Sequence, residues 1–373
     1  MTVACQVLLT EIEKVAPRYV AEEWDNVGLQ LGDPARSISR VLLTLDCTPE
    51  VVQEAIDAKA DLIVAHHPLI FKPLKQVRFD LPGQALVAQL LRHDIMFYAA
   101  HTNLDSSRLG SSGLLADKLG LVNQGFLEDG YRAPMYKVAV FVPTEHSLQV
   151  RTAMAQAGAG RIGDFYSECF FQTAGTGTFR PLTGANPFIG TIGELANVAE
   201  TKLETVVSEH SLARVLKAML KAHPYEVPAY DVIPTQAAGA EFGIGKVGKL
   251  SSELTLGELA QQVKDALGGC PLRVVGDLAK IIKKAAICAG SGGSFVPKAI
   301  FKGADVLIAG DIGHHDALDA LAGGLTIIDP GHYATEWLML ENLQVYLNHA
   351  MKVEKKAVEL VLSKVKTEPF NFI

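Results

Sequence analysis

The sequence predicts an α/β protein of two related halves, interrupted by a smaller α+β insertion. Three observations carry this. Short apolar runs of strand length alternate with amphipathic helical stretches at both ends of the chain, which calls for right-handed crossovers and a mostly parallel sheet. The ends also resemble each other: Ala60-Asp61-Leu62-Ile63-Val64-Ala65 parallels Ala304-Asp305-Val306-Leu307-Ile308-Ala309, and His101-x3-Asp105 parallels His332-x3-Glu336. The middle has a different order of elements and Gly- and Pro-rich margins, which marks an insertion. A length of 373 residues also exceeds one ordinary hydrophobic core.

From the N-terminus, residues 2–16 have helical spacing and stop at Pro17. Val41–Leu45 reads as a strand, and a helix follows with Thr48 as N-cap and Pro49 in its first turn. Leu62–Ala65 is a short buried strand ending in His66-His67. Gln84–His93 reads as a helix and Ile95–Ala100 as a strand, with His101 and Asp105 just beyond it. A helix then runs to about Leu119 and stops at Gly120. The C-terminal third repeats the pattern. Strands Ala285–Ala289, Asp305–Ala309 and Leu325–Ile328 are each followed by a turn and a helix, the last helix beginning near His332 and running through about Leu347. Gly243-Ile244-Gly245-Lys246-Val247-Gly248 lacks the spacing of a nucleotide loop and reads as the chain re-entering the outer domain.

Within the insertion, Tyr136–Val142 alternates as a strand and residues 145–157 suit a helix. Asp164–Thr173 and Thr176–Arg180 suit a hairpin, followed by strand Lys202–Val207, helix Ser211–Ala222 and strand Ala229–Ile233. That order is βαββαβ, the ferredoxin-like arrangement. The expected division is an outer domain of residues 1–128 with 245–373, around an insertion at 129–244.

The bulk composition narrows the function. Apolar residues make up 49% and charged residues 20%, as in a soluble globular protein. The net charge of −7 argues against nucleic acid or an anionic membrane as partner. The five cysteines are widely spaced without a C-x-x-C and read as reduced core thiols. The apolar stretch Val3–Leu9 has no basic segment before it and is followed by Glu11, Glu13 and Lys14, so no secretory signal is expected and a cytoplasmic location is. No apolar run reaches the length of a membrane span.

The residues suited to chemistry fall just after predicted strands, the edge where parallel sheets bind ligands. His66 and His67 end one strand, His101 and Asp105 follow another, and His332 and Glu336 follow a third. Neighbouring side chains at a strand end point apart, so His66 and His67 can reach two different metal ions. His332 and Glu336, four residues apart at a helix start, share a face. The allotment read from this is His67, Asp105 and Glu336 around one metal, and His66, His332 and Glu336 around the other, with Glu336 bridging. Three protein ligands per ion leave positions open for water, the catalytic pattern, and a pair of ions suits an in-line displacement. Nitrogen with carboxylate ligation points to Zn, Fe, Mn or Co. His101 and His315, on the same edge, are candidate proton carriers. His93, His146, His210, His223 and His349 read as ordinary surface or core histidines. Gly290-Ser291-Gly292-Gly293-Ser294 lies between a strand and a helix, and Ser291, Gly292, Gly293 and Ser294 are candidates for a phosphate cradle.

Four segments taken in order, Trp24-Asp25-Asn26-Val27-Gly28-Leu29-Gln30, Ala65-His66-His67-Pro68-Leu69, His101-Thr102-Asn103-Leu104-Asp105 and His332-Tyr333-Ala334-Thr335-Glu336, resemble the NIF3-like proteins, also called GTP cyclohydrolase 1 type 2 homologues. The resemblance implies a NIF3-like domain, a dinuclear site at the same five residues, and a toroidal homohexamer. His223-Pro224-Tyr225-Glu226-Val227-Pro228 resembles a signature of CutA proteins, which implies a PII/CutA-like insert. The expected function is a di-metal hydrolase of a nucleotide or phosphorylated small molecule. The alternative is a metal-dependent ring that senses a ligand without turnover.

Overall fold

The computed structural model describes residues 2–163, 166–237, 239 and 241–372. The chain divides into two compact units, Met1–Gly130 with Phe242–Ile373, and Tyr131–Glu241.

The outer unit holds two main sheets. In the first, strands Glu359–Leu362, Arg40–Thr44, Leu62–Ala65 and Met96–Ala99 run parallel in that order, and Gly28–Leu31 closes the edge antiparallel. The second is centred on parallel strands Thr326–Asp329, Val306–Gly310 and Ile281–Ser291. Arg273–Val275 flanks it on one side, and Lys246–Thr255 then Leu121–Gly125 on the other, all antiparallel. The central strands are parallel as the alternation of elements predicts. Leu62–Ala65, Met96–Ala99 and Val306–Gly310 are buried at every position, because helices cover both faces.

The likeness of the halves extends to their hydrogen bonds. Asp61 Oδ2 accepts from the backbone N–H groups of Ser39 (2.6 Å) and Arg40 (3.0 Å), while Asp305 Oδ2 accepts from those of Lys283 and Lys284 (both 2.9 Å). The Asp61 N–H donates to Arg40 O and its carbonyl accepts from Met96 N; Asp305 does the same with Lys284 O and Thr326 N. Each aspartate thus ties the start of a central strand to both neighbours.

The halves also exchange edges. Glu359–Leu362 from the C-terminal segment joins the first sheet, and Leu121–Gly125 from the N-terminal segment joins the second. Helix His332–Val353 binds them together. Its Met339, Leu343 and Leu347 pack in the core of the first sheet, and Leu338 packs in that of the second. Buried Ser111, at the start of helix Ser111–Lys118, donates to Glu336 O (2.9 Å) and accepts from Met339 N (3.2 Å), fixing the first turns of the long helix.

Local expectations hold with small shifts. Thr48 caps helix Pro49–Asp57 by accepting from Val51 N. Helix Cys5–Val15 begins three residues later than its periodicity suggests, because Val3–Ala4 pairs with Ser37–Ile38 as a short strand. The helix expected to reach Leu119 is two pieces, Thr102–Asp105 and Ser111–Lys118, with Gly120 following in the left-handed region at φ +67°.

The inserted unit follows the order β-α-β-β-α-β: Met135–Pro143, Ser147–Gln156, Phe170–Phe179, Ala196–Ser208, Glu209–Ala222 and Tyr230–Thr235. Its four strands form one antiparallel sheet with the second and third strands adjacent and the first between the third and the fourth. Val138, Val140, Val142, Leu203 and Val207 face the helix residues Val150, Met154, Val215 and Met219 in a separate core. The hairpin expected over Asp164–Arg180 is a correction. Phe170–Phe179 is one continuous strand paired throughout with Ala196–Thr205, and Asp164 and Phe165 lie outside the described residues. Gly177 within this strand gives room to its neighbour: a Cβ there would lie 2.1 Å from Glu200 Oε2 on the adjacent strand.

Replacing Asp61 by Asn leaves one strand-tying acceptor weakened, and the expected loss is about 1–3 kcal/mol at pH 7, read from the urea midpoint. Burial opposes the Asp61 charge, but hydrogen bonds from Ser39 and Arg40 outweigh it and hold its pKa below the ordinary value. Its contribution is therefore present above the unfolded pKa near 3.8 and lost as pH falls through the folded one, so the gap between the proteins should narrow below pH ~4.

Candidate metal centre

The site forms where the strand ends of the two halves of the outer unit meet. His66 N and His67 N continue the sheet ladder to Thr44 O (3.0 Å) and Leu45 O (2.9 Å), so both residues are fixed as extended backbone and their side chains diverge. Asp105 closes the short helix Thr102–Asp105, and His332 and Glu336 occupy successive turns at the start of the long helix.

Four imidazoles share one orientation. His66 Nδ1 donates to Ala100 O (2.8 Å), His67 Nδ1 to Asp46 Oδ1 (2.8 Å), His101 Nδ1 to Asp25 Oδ1 (3.0 Å) and His332 Nδ1 to Asp311 Oδ2 (2.6 Å). With an oxygen acceptor at every Nδ1, each neutral ring carries its proton there and turns the Nε2 lone pair inward. This is the usual second hydrogen bond of a metal-bound histidine.

The inward atoms are short of donors. His332 Nε2 lies 3.3 Å from His67 Nε2 and 3.0 Å from Glu336 Oε1. His67 Nε2 lies 3.3 Å from Glu336 Oε2. His66 Nε2 lies 3.6 Å from Glu336 Oε1 and 3.7 Å from Asp105 Oδ1. His66 Nε2 and Glu336 Oε2 are buried and make no hydrogen bond among the described residues. Such a set of acceptors is stable only around positive charge.

The pKa shifts say the same. Burial alone would lower His67, but Asp46 and Glu336 outweigh it and raise it to about 10. Burial is likewise overcome at His332, raised to about 9 by Glu336 and Asp311, and at His66, raised by Asp105 and Glu336. Burial opposes the Glu336 charge, yet the surrounding histidines hold it well below the ordinary carboxylate value. Asp105 is raised by burial, with the Glu336 charge adding to it.

The five residues expected to bind metal converge, but their grouping reverses the expected allotment. His66 sits with Asp105, and His67 with His332, while the Glu336 oxygens face both sets. The reason is directional: His66 turns into the core toward Ala100, and His67 turns to the rim toward Asp46 and His332. The donor atoms of His67, His332 and Glu336 lie within 4.8 Å of one another, as do those of His66, His67 and His101. His101 therefore belongs to the cluster and is held by Asp25, whose burial opposes its charge but whose hydrogen bonds from His101 and Thr102 hold it at about 2.

His315 is not brought to this cluster. It is exposed in the first turn of helix His314–Ala322, its ring beside that of His314. In the glycine-rich loop, two backbone donors are already engaged within the chain. Gly290 N donates to Thr335 Oγ1 and Gly292 N to Gly310 O, while the Asp316 carboxylate stands where a Cβ on Gly293 would lie. The loop serves the centre by its smallness: a Cβ on Gly290 would sit 2.2 Å from Glu336 Oε1.

Sequence reasoning missed Asp25, Asp46 and Asp311. Their signal was present: Asp46 and Asp311 each follow a central parallel strand, and Asp25 lies in the segment leading into the edge strand Gly28–Leu31. A cavity of about 800 Å³ opens beside His67 and His332, lined also by Asp46, Arg273, Tyr333 and Phe370.

A family model described as Duf34/NIF3 (NGG1p interacting factor 3) matches residues 3–369. Proteins named GTP cyclohydrolase 1 type 2 homolog from Halalkalibacterium halodurans and Bacillus subtilis are each 44% identical over 368 residues, covering 99% of this chain and 98% of the relative. A Bacillus cereus protein related to NIF3 has a crystal structure 41% identical to this chain, with a TM-score of 0.88 and 99% of both chains covered.

Removing an Nδ1 acceptor should weaken metal binding without removing a ligand. Asp46→Ala and Asp311→Ala are each expected to lower affinity for Zn or Mn by ~10–100-fold, measured by competition with a chromophoric chelator.

Proposed function

Because the chain belongs to the Duf34/NIF3 family, we propose that it is a dinuclear metal-dependent hydrolase of a nucleotide or another phosphorylated small molecule. GTP cyclohydrolase chemistry, the activity in the names of its relatives, is the first reaction to test. The observation that carries the reading is the set of four histidines, each pinned at Nδ1, three of which (His66, His67 and His332) present Nε2 to the buried Glu336 carboxylate, with His101 beside His66 and His67.

His66, Asp105 and Glu336 would hold one divalent ion, and His67, His332 and Glu336 the other, with Zn, Fe, Mn and Co all matching the donor set. When bound, such ions supply Lewis acidity, polarising a substrate oxygen and acidifying water. The chain's own residues would do the rest. Asp25 orients His101 to move a proton at Nε2. Arg273, held by Asp329 and Ile312 O, stands in the adjoining cavity to meet an anionic group. Tyr333 and Phe370 offer flat apolar walls there. A toroidal homohexamer in the cytoplasm remains part of this reading, as does a ferredoxin-like, PII/CutA-like identity for the inserted unit; its strand order supports the latter.

A second reading, a metal-dependent ring that senses a ligand without turnover, is favoured by one observation: the inserted unit has a cavity of its own, about 710 Å³.

The deciding experiment loads the protein with Zn, Mn or Fe, measures metal per chain, and follows GTP and a nucleotide panel by mass spectrometry. The expected outcome is roughly two ions per chain and conversion that falls by at least ~100-fold in Glu336→Gln. His101→Gln should keep its metal and lose ~10²–10⁴-fold in kcat. Full metal loading with no conversion of any substrate would transfer the weight to the sensing reading.

A further inference from the structure

The cavity of the inserted unit lies on the sheet face away from its helices, and the metal centre makes no use of it. Along strand Ala196–Ser208, residues Leu203 and Val207 point to the helices, so Glu200, Lys202 and Glu204 point to the opposite face and line the cavity. Phe179, Phe188 and Tyr225 supply aromatic walls.

Its charges do not balance. Glu204 is paired with Lys137 (3.1 Å) and with Lys202 (3.2 Å), which engages the one lysine lining the cavity. Glu226 accepts from Asn186 N. Glu200, only 8% exposed, has no cationic partner among the described residues. Its Oε1 accepts from Tyr225 OH (2.9 Å), and its Oε2 accepts no hydrogen bond among the described residues.

That carboxylate is held in place. Oε2 lies over the bare backbone of Gly177, where any side chain would collide with it. The Tyr225 ring stands edge-on to Phe179 at 5.5 Å. Tyr225 N donates to His223 Nδ1 (3.0 Å), and the opposite nitrogen of His223 donates to Phe141 O (2.9 Å). The segment His223-Pro224-Tyr225-Glu226 thus aims a hydroxyl at a mostly buried carboxylate that lines the cavity and has no cationic partner among the described residues.

We propose that this cavity is a binding site for an organic cation, an ammonium group carried on an apolar or aromatic body, with Glu200 as its counter-charge. A buried carboxylate needs a positive partner, aromatic faces attract ammonium groups, and a cavity of about 710 Å³ is of small-ligand size. A neutral or anionic ligand of the same shape would leave Glu200 uncompensated.

The test uses the full chain treated with chelator, so that amines do not bind at the metal centre. Phenethylamine, benzyltrimethylammonium and the neutral analogue phenethyl alcohol are titrated by calorimetry and by saturation-transfer NMR. Both cations are expected to bind, the alcohol at least ~10-fold more weakly. Glu200→Gln should lose ~10-fold in cation affinity, and Glu336→Gln should lose none. Phe188→Ala, altering a half-exposed wall residue, should weaken binding several-fold and serves where Glu200→Gln fails to fold. Equal binding of alcohol and amine, cation binding unchanged in both wall variants, or no binding of either cation would overturn the proposal.

Discussion

A carboxylate buried at 3% exposure sets the terms for the outer unit. Glu336 can stay ionised there only if positive charge surrounds it, and the chain gathers the side chains able to hold that charge from three strand ends. Each histidine of the cluster is oriented by an oxygen at Nδ1, and those oxygens come from separate segments: Asp25, Asp46, Ala100 and Asp311. One buried charge therefore organises residues from both halves.

The exchange of edge strands follows from the same demand. His66, His67 and Asp105 belong to the first sheet, His332 and Glu336 to the helix after the second. A site divided in this way works only if the halves are held in fixed register. The long helix packs into both cores, and each sheet takes an edge strand from the other segment. Ser111, bonded on both sides of the first helical turns, locks the carboxylate-bearing turn against the N-terminal segment. Much of the apolar burial that stabilises the halves thus also positions the candidate ligands, although those residues contribute little apolar area.

What the sequence made legible was local. Buried parallel strands read as short β-rich apolar runs, and Thr48-Pro49 carried its own helix start. The five candidate ligands stood out because a strand end is a place where side-chain chemistry and position coincide. Long-range partners were not legible. Nothing in Glu359–Leu362 says which sheet it joins, and nothing in Asp46 says that His67 turns to it and not to Asp105. The assignment of the two neighbouring histidines failed for that reason: divergence at a strand end is a local rule, but its sense depends on what the far segments place on each side. The glycines misled in a related way. The loop from Gly290 to Ser294 read as the setting of an anion cradle, whereas Gly290 and Gly292 make room for Glu336 and Ala309, as Gly177 does for Glu200.

The two acidic sites pose the same physical problem at different scales. At the metal centre, histidines held as Nε2 acceptors cannot neutralise Glu336 unless they take up protons, and their raised pKa values record how strongly the cluster favours a cation of some kind. Divalent ions offer more charge in less space and satisfy several acceptors at once, so binding them relieves a set of unfavourable approaches that folding alone leaves in place. At Glu200 the lining Glu204 is already paired with lysines, and the cavity offers aromatic walls and a tyrosine hydroxyl in place of imidazoles. A diffuse organic cation fits them better than a bare metal ion. The type of neighbour, imidazole and carboxylate in one case and aromatic faces in the other, decides which positive partner each buried carboxylate is built to accept.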